Sequence, residues 1–276
     1  MNFDASGAGP RAAALAARAP FGKIKLTIEY DGTNYQGWQR QGSGIPSIQG
    51  SIEDALFELF KKKINLMGAG RTDSGVHAEN QVAHFIAPKD VRGYNFSHLF
   101  QALLPPDITI KKAELVPFYF HAQRSAISKT YTYRIWNEPL PSALRARRSL
   151  WLRKPLDLER LNRACEKILG THDFKCFRSE GSAVQSTVRT LNSAKFMKVG
   201  DYIEFEINGD GFLKQMVRNI VGTFLQIELG LRKEDSISSL LTSKERMQAG
   251  PSVQPQGLYL TRVYYPAELD NLAVPL

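Results

Sequence analysis

A repeated succession of apolar periods limits this chain to few folds. Ile24, Leu26, Ile28 and Tyr30 alternate with Lys25, Thr27 and Glu29, the two-residue period of a half-buried strand. Ser47 stands where it caps a helix whose apolar face is Ile48, Ile52, Ala55, Leu56, Leu59 and Phe60. A short strand over 64–67 leads into a glycine-flanked loop, and a strand over 81–86 leaves it. A helix over 96–103 stops before Pro105-Pro106, and a strand over 108–116 completes the order βαββαβ. The same order then returns. Residues 131–136 alternate as a strand, and Asp157 caps a helix carrying Leu158, Leu161, Cys165, Ile168 and Leu169, closed by Gly170. Residues 191–198 and 202–208 form a hairpin across Val199-Gly200-Asp201. A helix over 212–229 ends at Gly230, a further one lies near 236–241, and residues 257–264 supply the last strand.

Composition supports a packed protein with a polyanionic partner. With 276 residues, 43% hydrophobic and 23% charged, the chain can bury a sizeable core. No run approaches the roughly 18 apolar residues that cross a bilayer, so no membrane role is expected. Thirty-six lysines and arginines oppose 27 acids, a formal charge of +9. Between His121 and Lys154 eight bases (Arg124, Lys129, Arg134, Arg145, Arg147, Arg148, Arg153 and Lys154) face the single acid Glu138, with Tyr131, Tyr133, Trp136 and Trp151 interleaved. Bases with aromatics suit a groove that tracks a nucleic-acid backbone and stacks unpaired bases. Cys165 and Cys176 lack metal or disulfide spacing and read as buried thiols of a reducing compartment. The five histidines form no ligand cluster, so no metal site is expected. Residues 1–20, eight of them alanine, read as a disordered leader or an expression remnant, with an organellar presequence as the alternative.

The expected fold is therefore α+β: two tandem ferredoxin-like (RRM-like) βαββαβ halves with antiparallel sheets around a central RNA-binding cleft. Residues 21–120 form the first half and 121–276 the second.

One loop stands out chemically. In Gly70-Arg71-Thr72-Asp73-Ser74-Gly75 a guanidinium and a carboxylate lie two residues apart between glycines that let the backbone approach a ligand. On its residues alone this is a polar turn between strands. It lacks the Lys-Ser/Thr and helix of a phosphate loop.

The stretch GAGRTDSGVHA (Gly68 to Ala78) resembles the signature of the tRNA pseudouridine synthase A family. So do IEYDGTNYQGWQRQ from Ile28, SIQGSIEDAL from Ser47, FHAQRSA from Phe120, KTYTYRIWN from Lys129, HDFKCFR from His172, MVRNIVG from Met216 and GLYL from Gly257, in that order. The resemblance spans about residues 23–265. It implies isomerisation of uridine in the anticodon arm of tRNA, at positions 38 to 40, by a cytoplasmic homodimer without metal or organic cofactor. It implies that Asp73 is the essential carboxylate, either attacking the nucleotide or abstracting a proton from the sugar. Tyr131 would stack on the flipped uracil, worth about 1–3 kcal/mol. Arg218, set in an otherwise apolar helix, needs a partner, and the resemblance suggests Asp73, which places the active site between the halves. Arg71 would fill the gap left by the extruded base or bind a phosphate, and Leu258 would wall the pocket.

The sequence departs from the family where Gln123 follows Phe-His-Ala in place of the usual arginine, with Arg124 next. Two other readings share the composition. A non-catalytic RNA-binding protein gives no reason for the loop carboxylate, and an N-glycosidase with Glu79 as second acid lacks an evident water-activating arrangement.

Overall fold

The structure, a computed structural model, describes residues 22–42, 44–181 and 184–276; the leader expected over 1–20 lies outside them. It is mixed α+β, and the chain divides into two compact units. Residues up to Ile127 together with Arg262–Leu276 form the first, and Ser128–Thr261 the second. The division thus falls seven residues beyond the expected one at 120, and the last fifteen residues rejoin the first unit.

In the first unit β1 (Lys23–Tyr30) is central, paired antiparallel with β3 (His77–Ile86) on one side and β4 (Ile108–Val116) on the other. β2 (Met67–Gly68) adds to β3, and β11 (Val274–Pro275) adds to β4. Helix α1 (Ile48–Phe60) starts where expected, with Ser47 Oγ accepting from the Gly50 N–H at 3.2 Å, and it buries Ile48, Ile52, Ala55, Leu56 and Phe60. Helix α2 (Phe96–Leu103) is capped by Asn95. β2 is shorter than the strand expected over 64–67 because α1 takes the Leu66 backbone. Glu53 accepts from the Leu66 N–H at 3.0 Å, and Gln49 donates to its carbonyl at 3.0 Å.

The alternation of β1 puts Lys25 on a solvent face, yet Lys25 is 6% exposed. The returning segment explains this. Lys25 Nζ reaches Glu114 on β4 at 3.2 Å and Asp270 on α6 (Ala267–Asn271) at 3.0 Å, with the Phe120 and Tyr265 rings at 5.9 and 5.6 Å. Glu114 is itself buried and also takes Lys112, so neither charge is left uncompensated. Neither α6 nor β11 was legible in the sequence, since each is too short to show a period.

The second unit repeats the pattern with additions. β9 (Tyr202–Gly209) lies antiparallel between β5 (Ser128–Trp136) and β8 (Val188–Val199). The opening residues of β10 (Leu258–Tyr264), up to Thr261, lie beside β5. Helix α3 (Leu158–Glu166) is capped by Asp157, whose side chain accepts from the Arg160 N–H at 3.0 Å. Gly170 does not close that helix. It opens β7 (Gly170–Asp173), paired with β8, at a φ of 88°. β6 (Leu150–Trp151) runs parallel to the end of β5. Helix α4 covers Met216–Glu228, four residues later than expected, because Gln215 takes a left-handed φ of 58° after a turn closed by Met216 N–H on the Leu213 carbonyl. All of α4 is buried except Arg218 and Gln226, which keep partial exposure. It is followed by α5 (Ser236–Ser243). Gly222 is required there, since a Cβ would sit 1.8 Å from the Pro251 carbonyl oxygen. Cys165 and Cys176 are buried free thiols, and burial pushes Cys176 up to about 11.

His84 on β3 is 4% exposed and accepts from the Ala122 N–H at 3.1 Å. Burial first, then the charges of Lys23 and His121, hold its pKa down at about 4, against an ordinary 6.5. Between those values the unfolded chain binds a proton that the folded chain refuses. Stability should therefore be indifferent to this group above pH 6.5 and fall as pH drops from 6.5 to 4, by at most about 3 kcal/mol. Urea unfolding across that range measures it. His84→Gln, which keeps an acceptor for Ala122, should flatten the slope, and an unchanged slope would assign the effect elsewhere.

Candidate active site

The loop from Ala69 to Val76 is fixed by backbone bonds and by a few buried or half-buried side chains. Ala69 N–H donates to the Val82 carbonyl at 2.7 Å, and Gln81, fully buried, donates to the Gly70 carbonyl at 3.0 Å. The Thr72 carbonyl takes the Trp38 N–H at 3.0 Å, while its hydroxyl meets the buried Tyr30 hydroxyl at 2.7 Å. Val76 N–H returns to the Asp73 carbonyl at 3.1 Å, which makes Asp73-Ser74-Gly75-Val76 a tight turn, with Gly75 at φ 75°. Gly75 N–H and the Ser74 hydroxyl both donate to the Tyr35 carbonyl, at 3.3 and 3.2 Å. The segment Asp31–Trp38 thus lies directly against the loop. Its glycines permit the approach: a Cβ on Gly32 would sit 2.0 Å from the Val76 carbonyl oxygen, and one on Gly37 (φ 94°) 2.6 Å from that of Thr72. Buried His77, just past the turn, accepts from the Gly32 N–H at 3.1 Å and lies 3.1 Å from the Asp31 carboxylate.

Asp73 is half-buried at the start of this turn, and Arg71 is exposed two residues earlier. The structure brings these two expected residues together in one loop of the first unit. Their supports (Tyr30, Gly32, Gly37, Trp38, Thr72 and Gln81) escaped sequence reasoning as site residues. The glycine spacing in Asp31-Gly32 and Gln36-Gly37 was the available signal.

Tyr131, Arg218 and Leu258 belong to the second unit. Tyr131 on β5 is 7% exposed, opposite Ile207 of β9, with its ring edge-on to Phe212 at 5.0 Å. Arg218, in the first turn of α4, donates through Nε to the Val253 carbonyl at 2.7 Å. The segment that follows Val253 is also tied down. Tyr133 donates to the Gln254 carbonyl at 2.7 Å, and a Cβ on Gly257 would sit 2.7 Å from the Tyr133 ring. Leu258, 5% exposed, opens β10 immediately after. Burial raises the Tyr133 pKa, and the charge of Arg218 opposes that shift.

The basic, aromatic segment 121–154 only partly presents itself as a stacking surface. Tyr133 is fully buried, as its alternation on a core-facing strand requires. The Arg145 guanidinium covers Trp136 at 4.2 Å and pairs with Asp201 at 2.6 Å. Arg134 pairs with Glu204 at 2.9 Å over the Tyr259 ring, and Lys154 donates to the Glu228 carbonyl. Trp151, at 42%, is the most exposed of the four aromatics. Among the described residues no group of three His, Cys, Asp or Glu is placed to hold a metal ion, and no helix is long and apolar enough to cross a membrane.

The sequence model described as tRNA pseudouridine synthase matches residues 26–123 and 164–266, which include Arg71, Asp73, Arg218 and Leu258 but not Tyr131. The chain is 44% identical over 242 residues to tRNA pseudouridine synthase A of Acetivibrio thermocellus, covering 88% of this chain and 99% of the relative. It is 44% identical over 260 residues to that of Bdellovibrio bacteriovorus (92% and 99%) and 39% over 267 residues to that of Pseudomonas aeruginosa (95% and 92%).

Because the loop rests on Gly37, Gly37→Ala should force the two segments apart. It combines an unfavourable positive φ with a backbone clash, and a loss of about 1–3 kcal/mol is expected in urea unfolding. Wild-type stability in this variant would show that the contact yields easily.

Proposed function

The chain belongs to the tRNA pseudouridine synthase family and isomerises uridine to pseudouridine in tRNA, and we propose that Asp73 is the carboxylate on which this reaction turns. In the isomerisation the N1–C1′ bond breaks, the detached uracil turns, and a C5–C1′ bond forms. The proton lost from C5 is balanced by one gained at N1, so no oxidant, reductant or second substrate is consumed. A single well-placed carboxylate can serve either as nucleophile or as base toward the sugar. The observation that carries the assignment is the turn itself: it holds the Asp73 backbone from both sides, so the carboxylate is presented without loop reorganisation.

The remaining roles follow the same reading. Arg71, exposed beside Asp73, takes the place of the extruded base or an adjacent phosphate. Tyr131 stacks on the uracil, Arg218 binds the substrate from the buried helix α4, and Leu258 supplies an apolar contact. The target is the anticodon arm at positions 38 to 40, and the enzyme acts as a cytoplasmic homodimer.

Each unit is further read as ferredoxin-like. Support comes from the strand order: β1 stands between β4 and β3 with β2 beyond β3, and β5 stands between β10 and β9 with β8 beyond β9.

Asp73→Asn should lower turnover by more than about 10³-fold while leaving tRNA binding and the unfolding midpoint near wild type. Mass spectrometry after carbodiimide labelling of pseudouridine, which adds the mass that an isomerisation does not, reads both activity and site. Substantial pseudouridine in the variant sinks the catalytic assignment, and product outside positions 38 to 40 sinks the positional one.

For Tyr131 two substitutions separate ring from hydroxyl. Tyr131→Phe should retain most activity, and Tyr131→Leu should lose the stacking contribution of about 1–3 kcal/mol in kcat/KM. Equal inactivity of the two would move the function to the hydroxyl, and full activity of both would make Tyr131 a core residue.

A further inference from the structure

The turn from Pro117 to Ser125 in the first unit gathers basic groups that the reaction does not use. Lys23 on β1 donates through Nζ to the Phe120 carbonyl at 2.7 Å. The His121 ring meets the edge of His84 at 4.9 Å between centroids. His121 Nδ1 accepts from the N–H groups of Gln123 and Arg124 at 3.2 and 3.3 Å, which leaves its proton on Nε2 as a donor. Ser125 locks the turn, accepting from the His121 N–H at 3.0 Å through its hydroxyl and donating its own N–H to the His121 carbonyl at 2.9 Å. Arg124 is exposed beside it.

The charges that act on these groups all have one sign. Burial and then Arg124 lower the Lys23 pKa, and burial, Arg124 and Lys23 lower that of His121. His84 is lowered by burial and then by Lys23 and His121. The fold therefore concentrates positive charge here at a cost in self-repulsion. In the same turn, Phe118 and Tyr119 stand 49% and 65% exposed.

We propose that this turn is a contact for the RNA backbone, in which Arg124, Lys23 and the Nε2–H of His121 hold a phosphate while Phe118 and Tyr119 stack on an adjacent unpaired base or ribose. A phosphate supplies the negative charge that the cluster lacks, and its oxygens accept from N–H donors. The arrangement also accounts for the departure at Gln123. The guanidinium missing at that position is provided one residue later, by a side chain that projects to solvent and acts electrostatically on Lys23 and His121.

The proposal rests on RNA being the substrate, and its test is kept apart from the position modified. Affinity for an unmodified tRNA transcript is measured against salt for the wild type, Arg124→Gln, Arg124→Lys, Lys23→Gln and Gln123→Ala. Arg124→Gln should weaken binding and reduce the log–log salt slope by about one, the signature of one lost phosphate contact. Arg124→Lys should restore the slope, and Gln123→Ala should match wild type. Tyr119→Ser should weaken binding about tenfold with the slope unchanged, because stacking releases no counterion. If Lys23→Gln is unstable through loss of the bond to Phe120, the exposed Arg124 decides alone. A wild-type slope and affinity in Arg124→Gln overturns the proposal whatever position the enzyme modifies. An error in the assigned tRNA position would instead appear in the modification map and leave the slopes intact.

Discussion

The structure of the first unit depends on the close approach of two backbone segments, Asp31–Trp38 and Ala69–Val76. Trp38 N–H on the Thr72 carbonyl and Gly75 N–H on the Tyr35 carbonyl bind them, and glycines at 32 and 37 give the space. Side chains then close the bottom of the loop: the Tyr30 hydroxyl on Thr72 and Gln81 on Gly70 are buried, so each would cost more unpaired than it contributes when made. A carboxylate that must meet one atom of a substrate profits from such a frame, because its position is set before the substrate arrives. The block around Asp31-Gly32 and the block around Asp73 are the two sides of one joint.

How much of this was legible follows from the range of the interactions. Helices with a cap and a stripe, such as Ile48–Phe60 and Phe96–Leu103, and strands with strict alternation, such as Ile108–Val116, read directly from local period. The onset of the helix at Met216 did not, because it is set by the left-handed Gln215, a polar residue that no propensity marks for such a conformation. The two-residue strands Leu150–Trp151 and Val274–Pro275 were invisible, and so was burial imposed from afar. Lys25 sits at an outward position of its strand, but Glu114 and Asp270, one of them 245 residues distant, bring it inside. At the candidate site, Arg71 and Asp73 were legible together because they share a loop. Gln81 and Tyr30 were not, because a buried polar residue announces itself only through its partners.

Charge density proved a poorer guide than charge compensation. The segment from His121 to Lys154 carries eight bases against one acid, yet its acids are supplied from the β8–β9 hairpin: Asp201 in its turn holds Arg145 and Glu204 on β9 holds Arg134. Two of its aromatics are consumed in the same way, Tyr133 by the core and Trp136 by the guanidinium above it. The turn at 120–125 contains fewer bases, but what acts on them is positive charge and burial. An imidazole that accepts two backbone N–H bonds through Nδ1 cannot take a second proton without opening its turn, which works in the same direction as the burial and positive charge that lower the His121 pKa. That distinction is physical. A compensated arginine braces the fold and offers a polyanion little, whereas a cluster held against its own repulsion gains most when a phosphate arrives. For an enzyme that must grip a highly charged RNA while placing one nucleotide against one carboxylate, affinity is better located in such clusters than in the loop itself. The loop can then keep the geometry that the glycines and buried hydroxyls impose.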